Sequence, residues 1–358
     1  MSTKPTEHET IFLEKIAQHN KTHIVSESEL AELLEKAQET YKKNFTPQVW
    51  FERSLFTNWT CAIADCKYCY LSTKPKLDKK AIRSKASILA EALVCKLMGW
   101  RVGYITGGLR VESTAYMTEL LQDLSHVLGY TVRMNYGPYS KKEIESFKPY
   151  VAGLGSAIES FDEELHEFIC PSKPLSSLLH FLAICKEEQI PNFITIILGI
   201  GEKKTDVFEV IEKINQYNID TVQLCFLKPQ EKTVFEEVPS PDPAYMAWWI
   251  ATLRIAHPKL HIKVALVRDR ISDFSLYLKA GANAFSRYMV FTDFASEKAL
   301  ALKEACEKEG RVLEGNFSSV PEIDLENEVS SLHFEEEVRN KILFNAKRYL
   351  SKLKKMSS

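Results

Sequence analysis

The chain has 358 residues, 45% of them apolar, with 46 basic and 48 acidic side chains and a formal net charge of −2. That balance suits a globular protein with a sizeable core and, lacking a dense Lys/Arg patch, points away from nucleic acid or an acidic membrane as partner. No apolar run approaches the roughly 20 residues that span a bilayer, and the N-terminus lacks a signal peptide's apolar centre, so the expected setting is cytoplasmic.

The first 45 residues read as amphipathic helices. Ile11, Leu13, Ile16 and Ala17 share one face, Asn20-Lys-Thr marks a break, and Ser26 caps a stretch carrying Leu30, Leu33, Leu34 and Ala37. From about residue 51, short β-rich runs alternate with amphipathic helical ones. The predicted strands cover 50–58, 101–106, 131–135, 151–158, 192–198, 221–227, 261–267 and 284–290. Helices are predicted over 84–98, 113–128, 175–188, 206–217, 243–256, 273–279 and 296–309. Strands each followed by a helix, in this number, predict an α/β fold of the (β/α)8 TIM-barrel type. A doubly wound open sheet is the alternative. Residues 1–45 then form an N-terminal helical extension, 46–295 the barrel, and 296–358 a C-terminal extension that completes it. Its last part reads as a loop after Gly315 and a charged helix over 334–355.

Barrel enzymes place their chemistry at the C-terminal ends of the strands. Immediately after the first predicted strand comes Trp59-Thr-Cys-Ala-Ile-Ala-Asp-Cys-Lys-Tyr-Cys-Tyr70. Its thiols, Cys61, Cys66 and Cys69, are one short of the four ligands that structural zinc or a fully cysteine-ligated cluster takes. Their spacing lets them hold three irons of one cube and leave the fourth open. Zinc with a distant fourth ligand such as His166 or Cys95, and an electron-transfer cluster with a remote cysteine, are the alternatives. No second paired half of a zinc site is visible. Cys95, Cys170, Cys185, Cys225 and Cys306 are scattered singly and read as small buried hydrophobes, with Cys225 also placed to face the barrel cavity.

With Tyr68 before the third cysteine and Gly107-Gly108 ending the second strand, the chain resembles the radical S-adenosylmethionine (SAM) superfamily. In that superfamily three cysteines hold a [4Fe–4S] cluster, and SAM chelates the open iron through its amino and carboxylate groups. The first gap here has four residues where three are usual. Gly155-Ser-Ala-Ile-Glu-Ser160 followed by Leu165-His-Glu-Phe-Ile-Cys-Pro-Ser-Lys-Pro174 is similar to the biotin-synthase-like branch, where an acidic residue meets SAM. Gly199-Ile-Gly-Glu202 is similar to that branch's adenine-side motif. Phe226-Leu-Lys-Pro-Gln-Glu-Lys-Thr233 resembles its Pro-x-x-Gly-Thr-Pro element without the glycine and the final proline. Within the branch, the chain looks most like the radical-SAM family encoded with [Fe]-hydrogenase and implicated in building the pyridinol ring of its iron-guanylylpyridinol cofactor. The lengthened gap, Asp65-Cys-Lys-Tyr-Cys-Tyr70 with Ser72-Thr73, and Ile88-Leu-Ala-Glu-Ala-Leu-Val-Cys-Lys-Leu-Met-Gly-Trp100 carry that likeness.

The resemblance implies roles. Cys61, Cys66 and Cys69 would ligate the cluster, and Tyr68 would face the adenine. Gly107 and Gly108 would let the backbone approach SAM, Glu159 would meet its amino group or ribose, and Gly199 and Gly201 would form the adenine turn. For the substrate, Arg133 and Asn135 share parity on the third strand, and Arg268 and Arg287 follow the seventh and lie on the eighth. Such an arginine is more often half of a structural ion pair. The implied reaction is reductive cleavage of SAM to a 5′-deoxyadenosyl radical, which takes hydrogen from a small, carboxylated substrate. An external one-electron reductant such as ferredoxin or flavodoxin would drive it. Another biotin-synthase-like reaction (sulfur insertion or rearrangement) and a non-catalytic Fe–S or zinc protein are the alternatives.

Overall fold

A computed structural model describes residues 6–22 and 25–357; residues 1–5 and 23–24 of the predicted helical extension, and Ser358, lie outside it. Among the described residues there are nine parallel strands: β1 (Gln48–Phe56), β2 (Arg101–Thr106), β3 (Arg133–Asn135), β4 (Gly153–Glu159), β5 (Asn192–Leu198), β6 (Ile219–Phe226), β7 (His261–Ala265), β8 (Ala284–Ser286) and β9 (Val312–Glu314). β1 pairs with β2 on one side and β8 on the other, so the first eight close into a (β/α)8 barrel. Closure excludes the open sheet. β9 pairs with the first residues of β1, Gln48 to Trp50, below the point where β8 joins.

The helices are α1 (Glu7–Thr22), α2 (Glu27–Asn44), α3 (Lys85–Leu97), α4 (Thr114–Leu128), α5 (Lys141–Phe147), α6 (Glu163–Ile169) and α7 (Leu175–Glu187). They continue with α8 (Asp206–Tyr217), α9 (Pro243–Ala256), α10 (Phe274–Lys279), α11 (Val290–Asp293), α12 (Glu297–Lys308), α13 (Leu325–Ser330) and α14 (Glu336–Met356). Ser26 and Ser84 cap α2 and α3 by accepting from the amides of Glu29 and Ser87, each worth about 1 kcal/mol. α13 falls where the sequence reads as loop and β9 in a stretch assigned no element, because six- and three-residue elements carry too little periodicity to register. β8 stops at Ser286, short of its predicted end, because Arg287 turns into left-handed backbone at φ +62°.

The two N-terminal helices do different things. α2 runs down the barrel wall: Glu29 at its start pairs with Lys204 beyond β5, and Phe45 at its end packs edge-on against His261, where β7 begins. α1 covers the mouth. Leu13 and Ile16 join Ile169, Ile200, Leu227 and Phe235 in a separate apolar cluster at the strands' C-terminal ends. At the end of α1, Asn20 donates to the carbonyls of Gly199 and Pro239, both at 2.8 Å. The barrel's opposite end is a floor of buried or half-buried ion pairs, Lys263–Glu52 and Arg133–Asp220, each at 2.7 Å. The cavities reached by the loop after β1 lie at the other end, the mouth.

Candidate active site

Cys61, Cys66 and Cys69 line one cavity of about 130 Å³, closed on the other side by Gly107, Gly108 and Glu159. The cysteine loop is fastened to the loop after β2. Ala62 donates its amide to Leu109 O at 3.0 Å, and Leu109 and Ala64 donate theirs to Cys61 Sγ at 3.3 and 3.4 Å. N–H donors aimed at sulfur stabilise a thiolate and tune the potential of whatever it ligates. The clamp below the loop is polar: Asn58 Oδ1 accepts from Gly108 N at 2.8 Å, while its amide nitrogen donates to both oxygens of Glu112 at 2.8 and 2.9 Å. Gly108 is required by space. A Cβ there would lie 1.7 Å from Thr60 O and 2.7 Å from Cys61 Cα.

Glu159 ends β4 with φ +65° and is buried. Its Oε1 accepts from Lys173 Nζ at 2.8 Å and from the Tyr68 hydroxyl. Lys173 also donates to Ala157 O at 2.7 Å. Burial alone would lower the Lys173 pKa, but the Glu159 carboxylate and neighbouring thiols outweigh it and hold the ammonium above its usual range. Burial, reinforced by the Glu159 charge, keeps the Tyr68 phenol far above its ordinary value. Both bonds fall on Oε1, which leaves Oε2 to face the cavity. Cys170 hydrogen-bonds Cys66 and pulls its thiol below the usual value against the effect of burial, with Lys173 helping, whereas burial pushes Cys69 up to about 12.

A second cavity of about 230 Å³ continues from the first into the barrel and shares Tyr68, Cys69, Gly107, Asn135 and Glu159 with it. Its wall includes Gln223, whose Oε1 accepts from Tyr104 at 3.0 Å and Ser286 at 3.2 Å. Three buried polar atoms on this wall, Ser54 Oγ, Asn135 Oδ1 and Thr195 Oγ1, have no hydrogen-bond partner among the described residues. Unpaired buried polar atoms of that kind are what a polar ligand satisfies. Arg287 enters the same cavity. It lies deep among protein atoms yet is accessible through that space, and it makes no ion pair or hydrogen bond with any described residue.

The predicted residues therefore separate. Tyr68, Gly107, Gly108, Glu159, Asn135 and Arg287 converge with the three cysteines. Arg133 does not: its parity with Asn135 puts both inside the barrel, but two residues along the strand carry it to the floor, where Asp220 neutralises it. Arg268 is corrected too, since it is over half exposed and pairs with the buried Asp293 at 2.8 Å. Gly199 and Gly201 line neither cavity. They are needed for φ +93° and +125°, under Pro241 and Ile16, in a turn whose amides (Gly199, Ile200, Gly201) all donate to the buried Glu202 carboxylate at 2.8 to 3.3 Å. The proposed fourth zinc ligands are elsewhere: Cys95 is in the helix-layer core, and the buried His166 is held by the carbonyls of Ser160 (3.2 Å) and Lys173 (2.8 Å). Lys173, Cys170 and Gln223 went unrecognised in the sequence. For Gln223 a signal existed, its shared parity with Cys225 on β6.

Three thiols on a cavity whose remaining wall offers glycine backbone, an amide and a carboxylate fit a cluster with one open iron and an amino-acid-bearing ligand. The profile of the Radical SAM superfamily matches residues 60–220, which include all three cysteines and Glu159. Those residues form a radical SAM domain on a (β/α)8 barrel, and the cofactors of that superfamily are a [4Fe–4S] cluster and SAM. Among its relatives is an uncharacterized protein of Methanocaldococcus jannaschii, 29% identical over 90% of this chain and 95% of that one. Biotin synthase of Shewanella denitrificans is 26% identical over 71% of this chain and 73% of its own length. In fold, the chain is similar to methylornithine synthase (PylB), with a TM-score of 0.66 at 18% identity over 86% of this chain and 94% of that one. It is similar also to the FeFe-hydrogenase maturase HydG of Carboxydothermus hydrogenoformans, at 0.65 and 14%, over 98% and 93%.

Proposed function

We propose that the enzyme acts on a small, carboxylated metabolite held in the inner cavity, in the biosynthesis of the pyridinol part of the [Fe]-hydrogenase cofactor. The observation that carries the substrate reading is Arg287, a guanidinium with no anionic partner, in a space continuous with the cysteine cavity. Open to that space and without a protein carboxylate, the guanidinium is placed to receive an anionic group of a ligand. Its own backbone is held in the left-handed region, about 1–2 kcal/mol of strain of the kind that marks functional positions. A volume of about 230 Å³ suits a compact molecule rather than a polymer. The cofactor reading rests on the motif likeness of the cysteine loop and α3.

Cys61, Cys66 and Cys69 would hold the cluster, which with SAM supplies a 5′-deoxyadenosyl radical for hydrogen abstraction once an external reductant delivers an electron. Gly107 and Gly108 would leave room for the SAM amino-acid end, and Glu159 and Asn135 would offer acceptors for its ammonium. Lys173 holds the Glu159 carboxyl in place. Tyr68, bonded to Glu159 through its hydroxyl, presents its ring between the two cavities. Tyr104 and Ser286 hold Gln223 Oε1, which turns its amide nitrogen toward Cys225 and the substrate space. α1 excludes water from above. All eight cysteines are free, which supports work in a reducing, cytoplasmic setting.

The test is anaerobic: reconstituted enzyme, SAM and dithionite, with 5′-deoxyadenosine followed in the presence and absence of an extract of small carboxylated metabolites. The Cys66→Ala protein is the blank. Deoxyadenosine formed only by the intact chain and raised by the extract supports the reading. No deoxyadenosine from a protein holding a full complement of iron and sulfide overturns it.

A further inference from the structure

Overall charge balance hides a local excess. Residues 74–85, Lys-Pro-Lys-Leu-Asp-Lys-Lys-Ala-Ile-Arg-Ser-Lys, carry six basic side chains and one acid, a patch that the whole-chain composition does not reveal. Two of the six are accounted for inside the fold. Arg83 pairs with the buried Glu91 at 2.8 Å, and Lys85 pairs with Glu119 and Asp123 at 2.6 and 2.8 Å. The other four, Lys74, Lys76, Lys79 and Lys80, are exposed and make no ion pair with any described residue. Among them stand Trp59, Leu77 and Ile82, 45%, 52% and 38% exposed. An apolar centre with a rim of one charge sign is the composition of a protein-docking surface.

This surface is wired to the cysteine loop. The Thr60 hydroxyl, one residue before Cys61, donates to Pro75 O at 3.0 Å and accepts from Asp78 N at 3.0 Å. Trp59 N donates to Ala81 O and Arg83 N to Thr57 O, both at 2.9 Å. The basic segment is therefore strapped along the outer side of the strand that delivers Cys61, opposite the face that lines the cavity.

We infer that Lys74, Lys76, Lys79 and Lys80, with Trp59, Leu77 and Ile82, form the docking surface for an acidic one-electron carrier protein. Charge complementarity selects the partner: four unneutralised ammonium groups steer a strongly anionic protein and orient it with its redox centre toward the cysteine loop. One electron leaves the reduced carrier, which is oxidised by one electron, and is taken up at the metal centre held by Cys61, Cys66 and Cys69. No bond or proton changes hands. The surface rests on the radical reading only for why an electron is needed; docking itself is measured without turnover.

The experiment is a binding titration of reconstituted enzyme with an acidic bacterial flavodoxin at low and high salt, for the native chain and for Lys74→Glu/Lys76→Glu/Lys79→Glu/Lys80→Glu. Lys42→Glu/Lys259→Glu/Lys279→Glu/Lys308→Glu, at four exposed lysines on or beside α2, α9, α10 and α12, is the charge-matched control. The quadruple variant is expected to bind at least about tenfold more weakly and to lose most of the salt dependence, with the control unchanged. Iron content and dithionite-driven deoxyadenosine formation should stay at the native level while the flavodoxin-driven rate falls by the same factor. Equal binding by the native and quadruple proteins overturns the inference. So does equal loss in the control, or a short RNA that displaces flavodoxin from the native chain at lower concentration. Failure of dithionite-driven chemistry in the native enzyme would sink the radical reading and leave the binding result standing on its own.

Discussion

Lys173 Nζ sits 2.8 Å from Glu159 Oε1, with both side chains buried, on the wall of the cavity that the three cysteines share. The two residues come from different elements: Glu159 ends β4, and Lys173 lies in the turn between α6 and α7. Removing the cation strands a buried carboxylate. Lys173→Met should therefore cost about 3–5 kcal/mol, and Glu159→Gln combined with Lys173→Met should recover most of it. Urea unfolding midpoints of the two single variants and the double check this. Additive losses would mean that the pair does not act as a unit.

Gly108 faces Thr60 O at 1.7 Å from the position of a Cβ, and neither atom belongs to a flexible side chain. Gly108→Ala must push the cysteine loop away from β2, so iron and sulfide incorporation should fall to a small fraction of native. Gly129→Ala is the comparison. Gly129 has φ +80° but nothing within 4 Å of its Cβ position, so that variant should lose about 1–2 kcal/mol and load normally. Iron and sulfide assays on both variants decide it. Normal loading of Gly108→Ala would show that the loop tolerates the shift.

The barrel was legible because eight buried strands leave runs of β-rich residues at regular intervals; β2 and β5 fall on their predicted bounds. The cysteines were legible because three ligands sit within nine residues of one loop. What the sequence hid is whatever depends on depth along a strand or on distant elements. Arg133 and Asn135 share a face, yet two residues of rise separate the floor from the mouth. Arg287 and Arg268 look alike as letters, and only the fold shows that one has Asp293 and the other no partner. The Gly199–Gly201 turn looks like a ligand loop because a nest of amides reads the same whether it receives a bound anion or, as here, its own Glu202.

Glu202 makes stability depend on pH in an unusual direction. Burial lifts its carboxyl to about 7 from 4.5, against the pull of the Gly199, Ile200 and Gly201 amides. Between those values the folded chain keeps a proton that the unfolded chain has released, so stability falls as pH rises through the window and the loss is complete above about 7. The shift corresponds to roughly 3 kcal/mol. Glu202→Gln removes the titration, so the difference in unfolding free energy between native and variant should drift by that amount from pH 4.5 to 7. A difference that stays constant across the range would show that the amides, and not burial, govern this carboxyl.

Arg287 gives the sharpest test of the substrate site. If its guanidinium receives a carboxylate, Arg287→Met should remove a charge-assisted hydrogen bond worth about 1.5–3 kcal/mol and raise the KM for the stimulating metabolite roughly 10- to 100-fold. Arg287→Lys keeps the charge but loses the planar fork, and should fall between. Iron content and whatever deoxyadenosine forms without metabolite should not change, because Arg287 is at the strand-eight side of the inner cavity and makes no hydrogen bond to a cysteine. Plotting substrate-stimulated against unstimulated deoxyadenosine separates the two effects. Stimulation that survives Arg287→Met at the native KM would remove the arginine from the substrate site and return it to the barrel lining.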